Sequence, residues 1–331
     1  MDSLLKKTFK TAAGHEYTYW TAKAKDGKPT LLLLHGNPDS AALWTDLIIN
    51  FLQPEGYSVI APDLLGFGSS DKPEGVENYT MSSLSKDLLA ILDNEGLKQV
   101  IPLGHDFGAN LASKFAAFAP ERVSGLVTLG TAYIPPSPYP FDFEQIRAMQ
   151  EQYVGYCSIW YFPLFTSEEG YRVIDENVEN MFTALHGGGE RMKEVCCYEG
   201  AMEKWLREPS NVEKEVLPYA KDAQYRKEWI DRMEQNSFRA PLDWYKATSR
   251  SLDLQAESNA LQAGNHIIKA PYLFVAALTD PLAPSAAVQG PIAQGTLPDV
   301  TLEEVDASHW CMHERPTEVG QAVVRWLSSK F

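Results

Sequence analysis

The sequence predicts an α/β protein, with a mostly parallel, doubly wound sheet and a mostly helical insertion. Three observations carry that expectation. Short continuous apolar runs such as "PTLLLLHG" and "QVIPLG" suit strands buried on both faces, as in a parallel sheet. Segments of helical spacing alternate with these runs, the pattern of strand–helix–strand crossovers of right-handed sense. Near residue 133 the alternation stops, and strand character does not return until "APYLFVAALTD".

The elements follow in order. "KTFKTAAGHEYTYWTAKA" reads as an antiparallel hairpin turning near Gly14. "PTLLLLHG" is a buried strand, and "ALWTDLIINFL" after it has helical spacing. "GYSVIAPDLLGFGSSDKP" is a strand that ends in a glycine-rich loop. "YTMSSLSKDLLAILDNEG" is an amphipathic helix with Gly96 at its C-terminal end. "QVIPLG" is a strand, "FGANLASKFAAFAP" a helix and "VSGLVTLGT" a strand again.

The proline-rich "YIPPSPYPFDF" then opens a polar, aromatic-rich helical stretch. "APYLFVAALTD" and "DVTLEEVDASHW" are the last strands, and "PTEVGQAVVRWLSSKF" closes the chain as an amphipathic helix. The expected division is a core of residues 1–132 and 251–331 with a helical cap, or lid, over 133–250.

Composition excludes several classes. Of 331 residues, 44% are hydrophobic and 22% charged, ordinary for a globular protein. A formal net charge of −15 argues against nucleic acid or an anionic membrane as the main partner. There is no apolar run of membrane-spanning length and no continuous apolar stretch of signal-peptide length near the N-terminus. The final "LSSKF" differs in its last residue from a peroxisomal tripeptide, so a cytoplasmic location is expected. The four cysteines have no metal-type spacing and read as small buried hydrophobes, and no metal site is expected.

"GHDFGAN", residues 104–110, carries the chemistry. It has the form G-x-Nuc-x-G between a strand and a helix, with Asp106 at the tip. The plain structural alternative is that Asp106 caps the helix, as aspartate often does. Partners favour the nucleophile. An elbow nucleophile needs an acid and then a histidine later in the chain, at strand ends. Asp280, in "LTDPLAP", and His309, in "DASHW", follow the last two predicted strands in that order.

Four other histidines fit less well. His313 heads into the closing helix and is expected to be solvated. His266 precedes its strand, at the opposite edge of the sheet. His15 and His186 lack a matching context. "HGGGE", 186–190, resembles an oxyanion motif but follows the elbow, and is expected to be a flexible lid loop. The backbone N–H groups of Phe107 and Asn37 are the expected oxyanion donors, worth about 3 kcal/mol each by analogy with deleted donors.

A carboxylate nucleophile attacks carbon that bears a leaving group, and the ester it forms must then be hydrolysed. Epoxides and alkyl halides both fit that first step. An epoxide oxygen needs an acid, which a tyrosine can supply. The insertion contains tyrosines 153, 156, 161, 171, 198, 219, 225 and 245.

The chain resembles the soluble epoxide hydrolase branch of the α/β-hydrolase superfamily. "LLLLHGNPD", "APDLLGFGSSDKP", "GHDFGA", "PLDWYK", "TDPLAP" and "SHWCMHERP" carry the resemblance. It implies the α/β-hydrolase fold, Asp106 as nucleophile, and Asp280 with His309 as the water-activating pair. "DWYK" matches the family's second lid tyrosine with Tyr245. "YFPLFTSEEG" matches the first with Tyr161, for which Tyr153 and Tyr156 compete.

The substrate pocket is expected to involve His35, Pro38, Trp310, Tyr153 and Tyr156. The resemblance implies no cofactor, a small hydrophobic epoxide and water as reaction partners, and leaves a homodimer open. Two departures stand out. Phe107 replaces the family's usual tryptophan, and Asn37 is similar to the asparagine with which haloalkane dehalogenases grip halide. Without the indole of a tryptophan at 107, half of that grip is missing. Asn37 could instead orient water or substrate. The alternatives are a haloalkane or haloacid dehalogenase, or a non-hydrolytic biosynthetic or ligand-binding relative.

Overall fold

The computed structural model describes residues 4–22 and 27–331. The chain forms one eight-stranded sheet with strands β1 Leu5–Lys10, β2 Glu16–Ala22, β3 Thr30–Leu34, β4 Ser58–Pro62, β5 Ile101–His105, β6 Leu126–Leu129, β7 Tyr272–Ala277 and β8 Val300–Val305. Their spatial order is β1-β2-β4-β3-β5-β6-β7-β8. From β4 to β8 every neighbouring pair is parallel. The predicted hairpin is β1–β2, with Gly14 in its turn at φ 94°. Residues 23–24 of that prediction lie outside the described residues.

Strand periodicity explains the double winding. Leu31 and Leu33 of β3 pack in one core with Val323 and Trp326 of the closing helix. Leu32 and Leu34 pack in the other with Leu84, Leu88, Leu111 and Phe115. Successive side chains leave a strand on opposite faces, so a run of leucines serves both layers. The edge strands β1 and β8 alternate exposed and half-buried residues and carry charges, including Lys7 and Glu303.

The first long helix, α1 Met81–Asn94, is capped by Thr80. It is capped again by Asp253, whose carboxylate accepts the N–H groups of Met81 at 2.6 Å and Ser82 at 3.0 Å. Gly96 follows it at φ 70°, as the sequence predicts. Helix α2 Phe107–Phe118 follows β5 directly. The predicted helix after β3 covers Ala41–Leu52, but it starts as a 3₁₀ turn and widens to a π turn at Ile48–Leu52.

Between β6 and β7 lie α3 Phe143–Tyr153, α4 Phe162–Thr166, α5 Gly170–Asp175, α6 Val178–Leu185, α7 Gly189–Cys196, α8 Ala201–Arg207, α9 Ala223–Asn236, α10 Arg239–Ser249 and α11 Leu254–Gln262. This segment contains no strand. Its helices rest on the ends of the sheet. The Trp244 indole donates to the carbonyl of Leu65 at 2.9 Å, and Arg232 Nη2 stands 3.8 Å from Asp39. Helix α12 Pro316–Lys330 closes the chain against β7 and β8.

Two expectations about histidines are corrected here. "HGGGE" is not a loose loop: His186 is fully buried, its Nδ1 lies 2.9 Å from the Tyr219 hydroxyl, and Gly189 begins α7. Its ring packs 4.9 Å from Trp310, which anchors the turn. His313 is not solvated either. It is half-buried beside Tyr219 and Tyr225, with ring centroids 5.2 and 5.5 Å away, and burial pulls its pKa down to about 4.

Candidate active site

Asp106 occupies the turn between β5 and α2 at φ 54° and ψ −125°. Such a backbone costs a non-glycine residue about 1–3 kcal/mol, so packing must hold it. The neighbouring glycines show how tight that packing is. A Cβ on Gly108 would meet the Leu34 carbonyl oxygen at 2.0 Å, and one on Gly104 would meet the Gly108 carbonyl oxygen at 2.1 Å. A Cβ on Gly36 would meet Asp106 itself at 2.4 Å. Asp106 makes no capping bond into α2.

Its carboxylate accepts the N–H of Asn37 at Oδ1, at 2.9 Å, and the N–H of Phe107. Burial raises its pKa, but His309 and these donors outweigh burial and hold the group ionised.

His309 follows β8 and Asp280 follows β7, both at the carboxyl edge of the sheet. His309 Nδ1 lies 2.7 Å from Asp280 Oδ2, and its Nε2 lies 3.6 Å from Asp106 Oδ2. Burial lowers the His309 pKa, yet the two carboxylates overcome it and push the group up to about 10.

Sequence reasoning overlooked His105, which precedes Asp106. Its Nε2 donates to the His309 carbonyl at 2.8 Å, fixing that backbone. Burial, with the charge of His309, pulls His105 down to about 4, so it stays neutral. The only signal for it was its place inside "GHDFG".

Asp106 lies between two chambers. The inner one, about 20 Å³, is lined by Asn37, Tyr161, Tyr245, His309 and Trp310, with Phe165, Leu185 and Leu282. Three methionines and a cysteine, Met181, Met192, Met202 and Cys196, complete it; no sequence motif marks them. The outer chamber, about 570 Å³, also borders Asp106, Tyr161 and His309 and runs out along α3.

Tyr161 and Tyr245 have ring centroids 5.9 Å apart. Burial, with the charge of Asp106 nearby, raises both phenols well above the usual range, so both keep their protons. The Tyr245 hydroxyl accepts from Asn37 Nδ2 at 3.1 Å.

Four residues expected in the pocket line neither chamber. His35 is buried beneath the loop: its Nδ1 donates to the Gly36 carbonyl at 2.9 Å and its Nε2 accepts from Leu64 N–H at 2.9 Å. Pro38 is buried beside Asn37 and lines neither cavity. Tyr153, on the last turn of α3, is 77% exposed. Tyr156 is half-buried under Lys193, whose Nζ sits 4.4 Å from its ring centroid. Trp310 does line the inner chamber, held by its indole N–H to Asp39 Oδ2 at 2.8 Å. His15 pairs with Asp87 at 2.8 Å, far along the chain from the elbow.

Sheet order, a strained acidic elbow and an acid–histidine pair after the last two strands define the class. The family model described as alpha/beta hydrolase fold matches residues 29–316, and the chain belongs to that family. Similar proteins include bifunctional epoxide hydrolase 2 of Mus musculus, 26% identical over 310 residues, covering 91% of this chain and 52% of that protein. The chain thus spans about half the length of that relative. Epoxide hydrolase A of Mycobacterium tuberculosis is 26% identical over 314 residues, covering 91% of each. The crystal structure of epoxide hydrolase A from Mycobacterium thermoresistibile shares the fold at a TM-score of 0.76 and 24% identity, covering 98% of each chain.

Proposed function

We propose that this chain hydrolyses epoxides to vicinal diols through a covalent ester on Asp106, with residues 133–250 acting as the lid. One juxtaposition carries the reading. The Asp106 carboxylate has backbone N–H donors and the His309–Asp280 pair on one side, and two protonated phenols across the same small chamber. Relatives named epoxide hydrolase, similar along most of this chain, support it.

Asp106 Oδ1 is held by Asn37 N–H, which leaves Oδ2 to attack an oxirane carbon. The carbon–oxygen bond breaks, and the leaving oxygen takes a proton from Tyr161 or Tyr245. The product is an alkyl ester. In the second step His309 Nε2 takes a proton from water, whose oxygen adds to the ester carbonyl carbon. The N–H groups of Asn37 and Phe107 stabilise the oxyanion. Collapse passes that proton from His309 to the departing diol oxygen, and the Asp106 carboxyl returns its own to His309, which restores the starting state.

The raised pKa of His309 fits this order. Beside two carboxylates it holds a proton in the free enzyme. Ester formation removes the Asp106 charge and lowers that pKa, so His309 returns its proton to the phenolate and stands free to take one from water.

Halide chemistry fits the site less well. Phe107 offers no side-chain N–H, and the Asn37 amide already donates to Tyr245. No helix among the described residues is long and apolar enough to cross a membrane. A cytoplasmic location and a homodimer belong to the same reading. The free, buried cysteines are compatible with a reducing compartment. Imaging of a tagged chain checks the location and light scattering checks the dimer. The central test is His309→Gln mixed with styrene oxide. Mass spectrometry finds the substrate mass added to Asp106; an unmodified protein overturns the mechanism.

A further inference from the structure

Asp106 is flanked by two spaces of very different size. The inner chamber, about 20 Å³, is only slightly more than a single water requires, about 10–15 Å³. The outer chamber, about 570 Å³, lies in the range of pockets that enclose a whole drug-sized ligand, about 300–1,000 Å³.

The inner wall is not a loose edge that could fold back. Phe165, Met181, Leu185, Met192, Cys196 and Met202 come from four helices, α4, α6, α7 and α8. Each is less than 9% exposed, and all belong to one core cluster. Forcing a large group into a packed wall displaces side chains and backbone. Methionine can change rotamer, which lets such a wall yield by about a methyl group rather than a ring.

The outer wall differs in kind. It is largely apolar, through Phe141, Ile146, Met149, Ile159 and Phe162, but Gln150 and Thr248 add hydrogen-bonding groups. Its lip is open: Met149 is 52% and Ile134 37% exposed.

We infer that the substrate is an unsymmetrical epoxide. The oxirane carbon facing the inner chamber carries hydrogen or one small alkyl group. The other carbon carries a large, mainly apolar arm that fills the outer chamber and reaches its mouth. This rests on the epoxide reading and narrows it to one substitution pattern.

Three probes test it: styrene oxide, trans-β-methylstyrene oxide and trans-stilbene oxide. They place hydrogen, methyl and phenyl opposite the same large arm. For diol formation, kcat/KM for the first two is expected to agree within about 10-fold, with the third lower by about 100-fold or more. Met181→Ala and Met192→Ala enlarge the inner chamber, and each is expected to raise the stilbene-to-styrene ratio about 10-fold. Circular dichroism and melting temperature identify the folded variants.

Comparable wild-type turnover of trans-stilbene oxide and styrene oxide overturns the inference but leaves epoxide hydrolysis intact. So does an unchanged ratio in both folded variants. If none of the probes gives diol with the wild type or an adduct with His309→Gln, the epoxide reading itself fails, and the inference with it.

Discussion

Asn37 and Tyr245, 208 positions apart in sequence, meet beside Asp106, the amide Nδ2 of Asn37 donating to the tyrosine hydroxyl at 3.1 Å. The backbone N–H of the same asparagine holds Asp106 Oδ1 at 2.9 Å. A phenol oxygen that accepts from the amide keeps its own proton for another acceptor. In the proposed mechanism Asn37 thereby ties the attacking group to the acid that serves the leaving oxygen.

That contact predicts a non-additive pair. Tyr245→Phe is expected to slow ester formation on the order of 100-fold, as loss of an oxyanion-type donor does. Asn37→Ala keeps the backbone N–H and is expected to slow it less, by about 10-fold. The double variant is expected to be no slower than Tyr245→Phe alone. Single-turnover rates of adduct formation give all three values, and fully additive losses would mean that the two residues act independently.

The ester route predicts where water oxygen goes. In a single turnover in ¹⁸O-water, the label is expected in the Asp106 carboxylate, because water attacks the ester carbonyl. The diol acquires label only in later turnovers. Peptide mass spectrometry of the protein decides this, and label in the first diol would indicate direct attack of water on the oxirane.

The acid–histidine pair predicts a pH dependence of stability. The His309 pKa is raised from 6.5 to about 10 by Asp280 and Asp106, against the effect of burial. A raised folded-state pKa means that the stabilisation is complete below about 6.5, the unfolded value. It fades as pH climbs through about 10. Across that window the wild type is expected to lose more unfolding free energy than His309→Gln. Urea denaturation at several pH values measures the difference, and parallel curves would refute the assignment.

Gly36 predicts a loss of activity larger than its loss of stability. An added Cβ would lie 2.5 Å from Asp106 Oδ1, in the space the carboxylate needs. Gly36→Ala is expected to cost about 1–3 kcal/mol of stability, as overpacking does. Its rate of ester formation is expected to fall on the order of 100-fold, because the carboxylate leaves its N–H donors. Thermal melts and single-turnover kinetics separate the two effects.

Local patterns made much of the fold legible. The leucine run of β3 suited a strand covered on both faces, and the Gly-x-Asp-x-Gly turn fitted between the strand before it and the helix after it. Asp280 and His309 were readable because each follows a strand directly, and parallel strands bring such positions to one edge of the sheet. Tyr153 and Tyr156 show where this kind of reading stops. They stand a few residues before Tyr161 and share its residue type, yet Tyr153 ends α3 exposed, Tyr156 packs under Lys193, and neither lines the cavity. Which face of a short helix points inward is set by its neighbours, not by its own sequence.

What the sequence determined by itself is a set of side chains in order: a carboxylate at a glycine-flanked turn, an acid and a histidine after the last two strands, and tyrosines in an insertion. Tertiary structure decided which tyrosines share a cavity with Asp106, that Asn37 joins one of them to it, and that sulfur-rich side chains from three helices close the inner side of the pocket. The physical reason is range. Turn strain and strand periodicity act over a few residues and leave a local signature. A cavity is the gap left where distant segments pack, and no one segment encodes its volume.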